Sequence, residues 1–275
     1  MNRLATVLMS EGRFNDAEKL AREEWARRQR LQGSDHPSTL AAERLLASSL
    51  VNQNRPNEAE PLLREVVSVR RRVLGADHPD LAASVDDLGR ALWREKHLAE
   101  AEGLFLEAID IWSRALGPES SSTLVAVNSL GLVYLDDRRY SEAEKLFSDL
   151  LPKSRRVNGP QHRRTLMAMN NLAVAYAHEK RQDDAINLLR DTITISRTAL
   201  GENHPITATF ILSLSEAMAL GGHREDALAS LEEAVKHGYR EADKIASDED
   251  LKSLRGDPRF EAILTGLRAV SPKTH

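Results

Sequence analysis

One stretch of the sequence decides the fold: residues 79–117 read PDLAASVDDLGRALWREKHLAEAEGLFLEAIDIWSRALG. Its first half carries apolar residues at three- and four-residue steps, namely Leu81, Val85, Leu88 and Leu92. This is the spacing of one face of an α-helix. A break follows at residues 96–98, and the same spacing then resumes as far as Trp112. The stretch therefore predicts a hairpin of two helices, helix A near residues 80–94 and helix B near residues 99–115.

The same unit recurs along the chain with a period of 42 residues. A glycine, an alanine and a leucine each return at this step: Gly33, Gly75, Gly117, Gly159 and Gly201; Ala17, Ala59, Ala101, Ala143, Ala185 and Ala227; Leu4, Leu46, Leu88, Leu130, Leu172 and Leu214. The residue after each repeated leucine is Ala, Gly or Ser, which lets two helix backbones approach closely. Such self-similarity indicates an all-α repeat protein with about six hairpins over residues 1–238.

The junctions between units carry residues that end and begin helices. A repeated glycine follows helix B, where it can adopt the left-handed conformation that closes a helix. Pro37, Pro79 and Pro205 stand at the start of the next helix A, where a missing N–H is no loss. Four histidines share one junction position, namely His36, His78, His162 and His204. Because whole repeats separate them, they cannot converge on one metal ion, and we expect a structural role at the loop-to-helix junction.

The repeat unit resembles a known family. Its leucine followed by a small residue, its tyrosines Tyr134 and Tyr176 and its alanine early in helix B resemble tetratricopeptide repeats. The longer unit is similar to the kinesin light chain type, and the matching residues are Leu74-Gly75 with His78-Pro79, Leu200-Gly201 with His204-Pro205, and Asn170-Asn171-Leu172-Ala173. The resemblance covers roughly residues 1–238 and implies a right-handed superhelical solenoid of antiparallel helical hairpins. The helix-A tryptophan of the common form is replaced here by Val85, Val127, Met169 and Ile211.

The beginning of the chain departs from the repeat. Counting back one period from Leu46 places Met1 inside a helix A, so the first hairpin is truncated at its N-terminus. Three apolar residues, Leu4, Val7 and Leu8, would then form an exposed edge. Because the ends of a solenoid need polar caps, we expect that sequence upstream of Met1 is missing, or that this edge packs on a second copy in a homo-oligomer.

The period also stops after Gly238. Residues 239–275 predict C-terminal capping helices and a short tail, with two short helices separated at Gly256-Asp257. Asp257 is the expected N-cap of the second helix, with Pro258 at its first position. This end resembles the tail of tetratricopeptide segments in some large bacterial signalling proteins, including receptor-like Ser/Thr kinases. That likeness implies a bacterial source and a regulatory or docking segment.

Composition and motif content argue against several chemistries. The chain has 38 Lys and Arg against 42 Asp and Glu, a net charge of −4, which is unlike a nucleic-acid-binding domain. It has no cysteine, which excludes disulfides and thiolate zinc sites.

No run approaches the roughly 18 apolar residues of a membrane span, and residues 1–13 lack an export signal, so we expect a cytoplasmic protein. No H-E-x-x-H, Walker or G-x-S-x-G motif occurs, and Asp86-Asp87 lies at ordinary repeat positions. We therefore predict no enzyme activity, no metal and no cofactor.

The tetratricopeptide resemblance implies that helix A lines a concave face. We call the A face the residues two before, two after, five after and six after the repeated leucine, and the residue one before the leucine lies beside them. The candidate peptide-binding residues there are Arg44, Asp86, Arg90, Trp93, Arg94, Asn128, Asn170 and Asn171, with Asp87 and His178 beside them. A carboxamide both donates to and accepts from a peptide backbone, arginine forks onto carboxylates, and tryptophan supplies apolar area. The alternative is that Asp86 and Arg90 only form an i,i+4 pair and that the asparagines are surface filler.

Two functions of different classes follow from these patterns. The first is a non-catalytic protein–protein interaction scaffold that binds an extended, acidic peptide or a partner protein in its concave groove, as the likeness to kinesin light chains implies. The second is a C-terminal regulatory or docking segment of a bacterial signalling enzyme such as a Ser/Thr kinase, with the catalytic domain upstream of Met1. Self-assembly through the first hairpin is compatible with either function.

Overall fold

The structure, a computed structural model, describes residues 2–270. Met1 and the short tail predicted at residues 271–275 lie outside the described residues. Between these limits the chain forms fourteen α-helices and one 3₁₀ turn, with no strand among the described residues. The helices are α1 Asn2–Ser10, α2 Phe14–Gln32, α3 Pro37–Asn52, α4 Pro56–Leu74, α5 Pro79–Arg94, α6 Leu98–Leu116, α7 Ser121–Asp136, α8 Tyr140–Asn158, α9 Arg163–His178, α10 Gln182–Ala199, α11 Pro205–Leu220, α12 Arg224–Lys236, α13 Ala242–Ser247 and α14 Pro258–Val270. The prediction of an all-α fold of helical hairpins is confirmed.

The chain divides into two compact units between Asp137 and Arg138. In the first unit α1, α3, α5 and α7 are A helices and α2, α4 and α6 are B helices, and in the second unit α9 and α11 are A helices. In each unit an A helix packs on its B helices and also contacts the next A helix, as α3 does with α5 and α9 with α11. Among the described residues, no B helix makes comparable contacts with the next B helix. The A helices therefore form the tighter layer of each unit, within side-chain reach of one another.

The four junction histidines cap the A helices. Nδ1 of each accepts a hydrogen bond from the backbone N–H two residues later, at 3.1–3.2 Å. At the start of α7, where no histidine occurs, Ser120 Oγ accepts instead from the Thr123 N–H at 3.2 Å. The side chain thus satisfies one of the N–H groups that a helix leaves without a partner at its N-terminus. The predicted structural role of these histidines is confirmed.

The junction glycines adopt the positive φ that the sequence predicts. Gly33, Gly75, Gly117 and Gly159 have φ of 82–95° with ψ of 153–172°. This ψ is extended rather than left-handed helical, in a region that side-chain-bearing residues rarely enter. Three threonines close the same loops by donating to the glycine carbonyl at 2.8–3.0 Å, namely Thr123 to Gly117, Thr165 to Gly159 and Thr207 to Gly201.

Glu43 of α3 occupies a core position that is apolar in the later repeats. Its counterparts one to four periods later are Val85, Val127, Met169 and Ile211. The Glu43 side chain is 3% exposed, and its Oε1 accepts no hydrogen bond from any described residue. Burial, together with the charge of Glu65, raises the pKa of Glu43 to about 7, although a hydrogen bond from Trp25 opposes the shift. The carboxyl group is therefore held neutral over a range where the unfolded chain ionises it.

After α12, the structure differs from the predicted cap in two respects. The charged stretch forms α13, which the sequence pattern did not predict, and Leu254 lies in a 3₁₀ turn at Lys252–Leu254 instead of a short α-helix. The N-cap prediction is confirmed, because Asp257 Oδ1 accepts from the Arg259 N–H at 2.9 Å. Leu251, Leu254 and Phe260 are each at most 1% exposed, so the segment packs its apolar side chains against the second unit.

The apolar edge predicted on α1 is only partly exposed. Leu4 and Val7 are 56% and 49% exposed, whereas Leu8 is buried in the first unit.

No helix in the described range is long and apolar enough to cross a membrane.

The N-cap assignment predicts the effect of two substitutions at His78. His78→Ala removes the acceptor for the Asp80 N–H and should lower the free energy of unfolding by about 0.5–2 kcal/mol. His78→Ser restores the type of cap that Ser120 provides and should recover most of this loss. Chemical denaturation followed by circular dichroism measures both. Equal losses in the two variants would contradict the capping role.

The buried carboxyl predicts that Glu43→Met stabilises the protein in a pH-dependent way. Because the folded-state pKa of about 7 lies above the ordinary 4.5, Glu43 lowers stability progressively as pH rises through this interval, and the cost levels off above it. Glu43→Met should add about 1–3 kcal/mol to the free energy of unfolding at pH 7.5 and little at pH 4.5. Denaturation curves at the two pH values test this, with Asp191→Asn, at an exposed carboxylate on α10, as the control. A gain of the same size at both pH values would contradict the assignment.

Candidate functional site

In the first unit, Asp87 organises the A face. Its Oδ2 accepts from Arg44 Nη1 of the neighbouring helix α3 at 2.6 Å and from Ser48 Oγ at 2.9 Å. Its Oδ1 accepts from Arg90 Nη1, one turn further along α5, at 3.2 Å. Asp87 is 5% exposed, whereas the side chains of Arg44 and Arg90 are about one third exposed. One buried carboxylate therefore holds two guanidinium side chains that remain about one third exposed.

Asp86 lies beside this cluster and is also buried. It is 5% exposed, and its Oδ1 accepts no hydrogen bond within the described part of the chain. Burial, reinforced by the charge of Asp87, raises the pKa of Asp86 to about 7, although Arg90 and Arg44 oppose the shift. This corrects the expectation that Asp86-Asp87 is an ordinary pair of carboxylates. It also corrects the i,i+4 alternative, because Arg90 bonds to Asp87 and not to Asp86.

Trp93 and Asp136 form a second cross-helix contact in the same unit. Trp93 Nε1 of α5 donates to Asp136 Oδ2 of α7 at 2.8 Å, and Lys96 Nζ reaches the same oxygen at 2.7 Å. The guanidinium of Arg94 lies 5.5 Å from the centre of the Trp93 ring. The indole is thus fixed at its polar edge by a hydrogen bond, and its orientation on the A face is set before any partner arrives.

In the second unit, Asn170 and Asn171 of α9 occupy the positions that Asp86 and Asp87 occupy in α5. Both asparagines are buried, at 8% and 7% exposure. Asn170 Nδ2 lies 3.5 Å from Asn171 Oδ1, while Asn170 Oδ1 accepts no hydrogen bond from a described residue. Each unit therefore presents, two residues before the repeated leucine, a buried oxygen acceptor that the described protein leaves unused.

The C-terminal part of the second unit's A face is already in contact with the chain itself. His178 Nε2, at the end of α9, lies 3.1 Å from Asp250 Oδ2, and the His178 ring stacks on Tyr140 at a centroid distance of 4.1 Å. Glu216 of α11 hydrogen-bonds to Asp248, two residues before Asp250. The loop at residues 248–250 thus lies against α9 and α11.

Most of the predicted A-face residues lie together within their own unit. Arg44, Asp86 and Arg90 form one cluster with Asp87, and Asn128 is half-buried on α7. Sequence analysis missed Ser48, Asp136 and Glu216. Ser48 and Glu216 lie at the same repeat position as Arg90, and Asp136 at that of Arg94 and His178. Applying the A-face rule to every repeat would have found them.

Within the described residues, no group of three or more His, Asp or Glu side chains is arranged to hold a metal ion. Hydrogen-bond donors and acceptors for a polar ligand are therefore what the A face offers.

Comparisons with known proteins agree with this architecture. A sequence profile of the tetratricopeptide repeat family matches residues 1–71, 41–114, 93–152 and 121–198. The chain belongs to the tetratricopeptide repeat family. No curated protein sequence matches this tetratricopeptide protein significantly.

Solved structures extend the match to the kinesin light chain type. Nearly identical tetratricopeptide-like repeats of a kinesin light chain-type protein from Podospora anserina share 26% identity at a TM-score of 0.63, covering 74% of this chain and 96% of that one. BtubC from P. vanneervenii shares 21% identity at 0.66, covering 82% and 93%. The Rap conjugation gene regulator of plasmid pLS20, in complex with the Phr* peptide, shares 14% identity at 0.60, covering 84% and 64%. The repeats of this tetratricopeptide protein are thus kinesin light chain-like, as predicted.

The Asp87 contacts predict a loss of stability when its carboxylate is removed. Asp87→Ala leaves Arg44 and Arg90 without their shared counter-charge and should lower the free energy of unfolding by about 1–3 kcal/mol, less than for a fully buried pair because both arginines remain partly hydrated. Denaturation curves measure the change. Asp110→Ala, at an exposed carboxylate that pairs with Arg114 on α6, is the control and should change stability by no more than about 0.5 kcal/mol. Equal effects of the two substitutions would contradict the role of Asp87.

Proposed function

We propose that this tetratricopeptide protein is a non-catalytic protein-interaction scaffold whose A faces bind an extended segment of a partner protein. The observation that carries the proposal is the pair of buried oxygen atoms, Asp86 Oδ1 and Asn170 Oδ1, which accept no hydrogen bond from the described residues. A buried acceptor without a partner costs about 1–3 kcal/mol. Both oxygens are enclosed in this conformation, so a backbone N–H of an extended peptide would reach them only after the side chains turn towards the A face, and binding would then recover this cost.

The charges around Asp86 favour an acidic ligand in the first unit. Arg44 and Arg90 each use one nitrogen for Asp87, at 2.6 and 3.2 Å, and keep further N–H donors. Asp86 is partly neutral near pH 7 because its pKa is raised to about that value. Two guanidinium groups that are each about one third exposed therefore lie beside a carboxyl group that is partly neutral. A carboxylate of the partner would meet a preformed arginine fork.

The asparagines of the second unit favour recognition that does not depend on ligand sequence. Asn170 can accept a peptide N–H at Oδ1, and a carboxamide also carries donors for a peptide carbonyl. Such contacts recognise the backbone of the ligand and do not depend on its side chains. We therefore assign recognition of the peptide main chain to Asn170 and Asn171, and also to Asn128, which lies at the same repeat position as Asn170. Selection of the ligand's charge is assigned to Arg44 and Arg90. Trp93 and Arg94 add apolar area and positive charge beside this site.

Peptide binding by a relative supports the proposal at the level of the fold. The Rap regulator of pLS20 was solved with the Phr* peptide, and its likeness to this chain extends to the fold alone. The tetratricopeptide architecture is therefore compatible with a peptide ligand. The residues that would hold the ligand here are argued from their own geometry.

A displayed library of random, unstructured peptides tests the proposal. Peptides selected on the wild-type protein should be enriched in Asp and Glu. Arg90→Gln should lower the affinity for the acidic peptides by about tenfold, which corresponds to the loss of one charged hydrogen bond. Asp87 would still accept its hydrogen bonds from Arg44 and Ser48. Asn128→Ala combined with Asn170→Ala should weaken selected peptides whatever their charge, with helicity unchanged by circular dichroism.

Arg71→Gln is the matched control for the arginine variant. Arg71 lies on the B helix α4, is exposed, and pairs with Glu107 at 2.6 Å. Isothermal titration of the selected peptides should give the wild-type affinity for this control. Equal affinities for the A-face variants and the wild type would overturn the proposal, as would a library that yields no binding peptide.

A further inference from the structure

A cleft of about 310 Å³ lies between α12 and α14 in the second unit. Lys236 and Arg240 stand at its rim, and both are exposed. Apolar side chains make up most of the remaining lining, namely Val235 of α12 and Ala262, Ile263 and Leu267 of α14. A concave, mostly apolar surface with a few polar groups is the usual form of a binding site.

The cleft opens because α14 covers only part of α12. At the start of α14, Arg259 forms ion pairs with Glu232 at 2.9 Å and with Glu225 at 3.0 Å, both on α12. Further along α14, Gly266 leaves the space unfilled, since a Cβ placed there would meet no atom within 4 Å. Val235 is therefore only half-buried, whereas its counterparts in three earlier repeats, where another hairpin follows, are 4–8% exposed: Val67, Leu151 and Ile193.

The rim of the cleft carries two positive charges that are not paired with a carboxylate. Arg240 Nη1 donates to the backbone carbonyls of Val235 and Tyr239 at 2.6 and 2.9 Å, which holds the guanidinium at the end of α12. These acceptors are neutral, and neither Arg240 nor Lys236 forms an ion pair among the described residues. The nearest acidic residues in the sequence pair with other cations, namely Glu232 with Arg259, Glu233 with Arg197, Glu241 with Lys244 and Asp243 with Arg268.

We propose that this cleft is a docking site for a partner protein that inserts a large aliphatic or aromatic side chain between α12 and α14 and places a neighbouring Asp or Glu beside Lys236 and Arg240. The site goes beyond the scaffold function proposed above, because none of its lining residues belongs to an A helix. Burial of the inserted side chain against Val235 and Ile263 supplies affinity. The charge at the rim orients the acidic residue and disfavours basic segments.

The size of the cleft favours a protein segment over a small ligand. Ligand pockets have volumes of roughly 300–1,000 Å³ and enclose most of the ligand, whereas this cleft is at the lower limit and is bordered by the exposed residues Ala262 and Gly266. One side chain fills such a space while the rest of the segment stays outside, as an anchor residue does at a protein interface. Residues 271–275 of the chain, SPKTH, do not suit the cleft, because they contain no large apolar side chain and add a lysine.

A displayed library of random peptides, selected on the full chain and counter-selected on Gly266→Leu, tests the docking site. The leucine side chain would occupy the cleft, and its Cβ has open space. Peptides that distinguish the two proteins should combine Leu, Ile or Phe with an adjacent Asp or Glu. By isothermal titration they should bind Gly266→Leu about tenfold more weakly, or worse. Gly103→Leu, at an exposed helical glycine of α6 that also has open space, is the matched control and should keep the wild-type affinity.

The charge at the rim has a test of its own. Lys236→Gln should lower the affinity of the same peptides by about two- to fivefold and should reduce its dependence on salt. Lys145→Gln, at an exposed lysine on α8, should leave both unchanged. Ala262→Gln, at another exposed position of the cleft, narrows it and replaces Gly266→Leu if that variant loses helicity.

Several results would overturn the docking site. One is a library in which no peptide distinguishes the wild type from the blocking variants. Decanoate binding that Gly266→Leu abolishes, without such peptides, would assign the cleft to a free carboxylate. A wild-type dimer that Gly266→Leu dissociates, measured by light scattering, would assign it to a second copy. Tighter peptide binding after deletion of residues 271–275 would assign it to that tail.

The A-face variants separate this test from that of the scaffold function. Arg90→Gln, and Asn128→Ala combined with Asn170→Ala, should bind the cleft peptides with the wild-type affinity. Peptides that depend on the A face should in turn bind Gly266→Leu as they bind the wild type. Loss of the cleft peptides in the A-face variants would contradict a separate docking site.

Discussion

Close packing of each helix on the next, through small side chains at fixed repeat positions, is the constraint on which the rest of the structure depends. The six alanines that recur at the 42-residue step, from Ala17 to Ala227, are all 0% exposed. In α5, where a glycine follows the repeated leucine, even one methyl group is a tight fit, because a Cβ on Gly89 would lie 3.2 Å from the Phe105 ring. Small residues at these positions bring A and B helices together and leave longer side chains to fill the space between successive hairpins.

This packing places polar groups where an isolated helix would leave them in water. Asp86, Asp87, Asn170 and Asn171 are buried because neighbouring A helices lie within side-chain reach. Burial is what raises the pKa of Asp86 and lets one carboxylate, Asp87, hold two arginines. In the proposed scaffold function, residues fixed in this way would lose little conformational freedom on binding, so more of the interaction energy would remain for affinity.

The A faces of the two units differ in the groups that they present. In the first unit the A face presents guanidinium groups, which would suit the proposed acidic partner. In the second unit part of the A face is already held by an acidic loop of the chain, through Glu216 and His178.

The sequence by itself determined the elements: the 42-residue period, the two helices of each unit, and the prolines and glycines at the junctions follow from local spacing and backbone preference. It also marked most A-face residues, since repeat position fixes which side of a helix a residue lies on. Only the tertiary structure decided their burial, their protonation and their hydrogen-bond partners. Glu43 and Asp86 are titratable groups out of water, Arg90 bonds to Asp87 and not to Asp86, and Asp250 reaches His178 across a long stretch of chain. These properties depend on distances between helices, and a linear pattern contains no such distances.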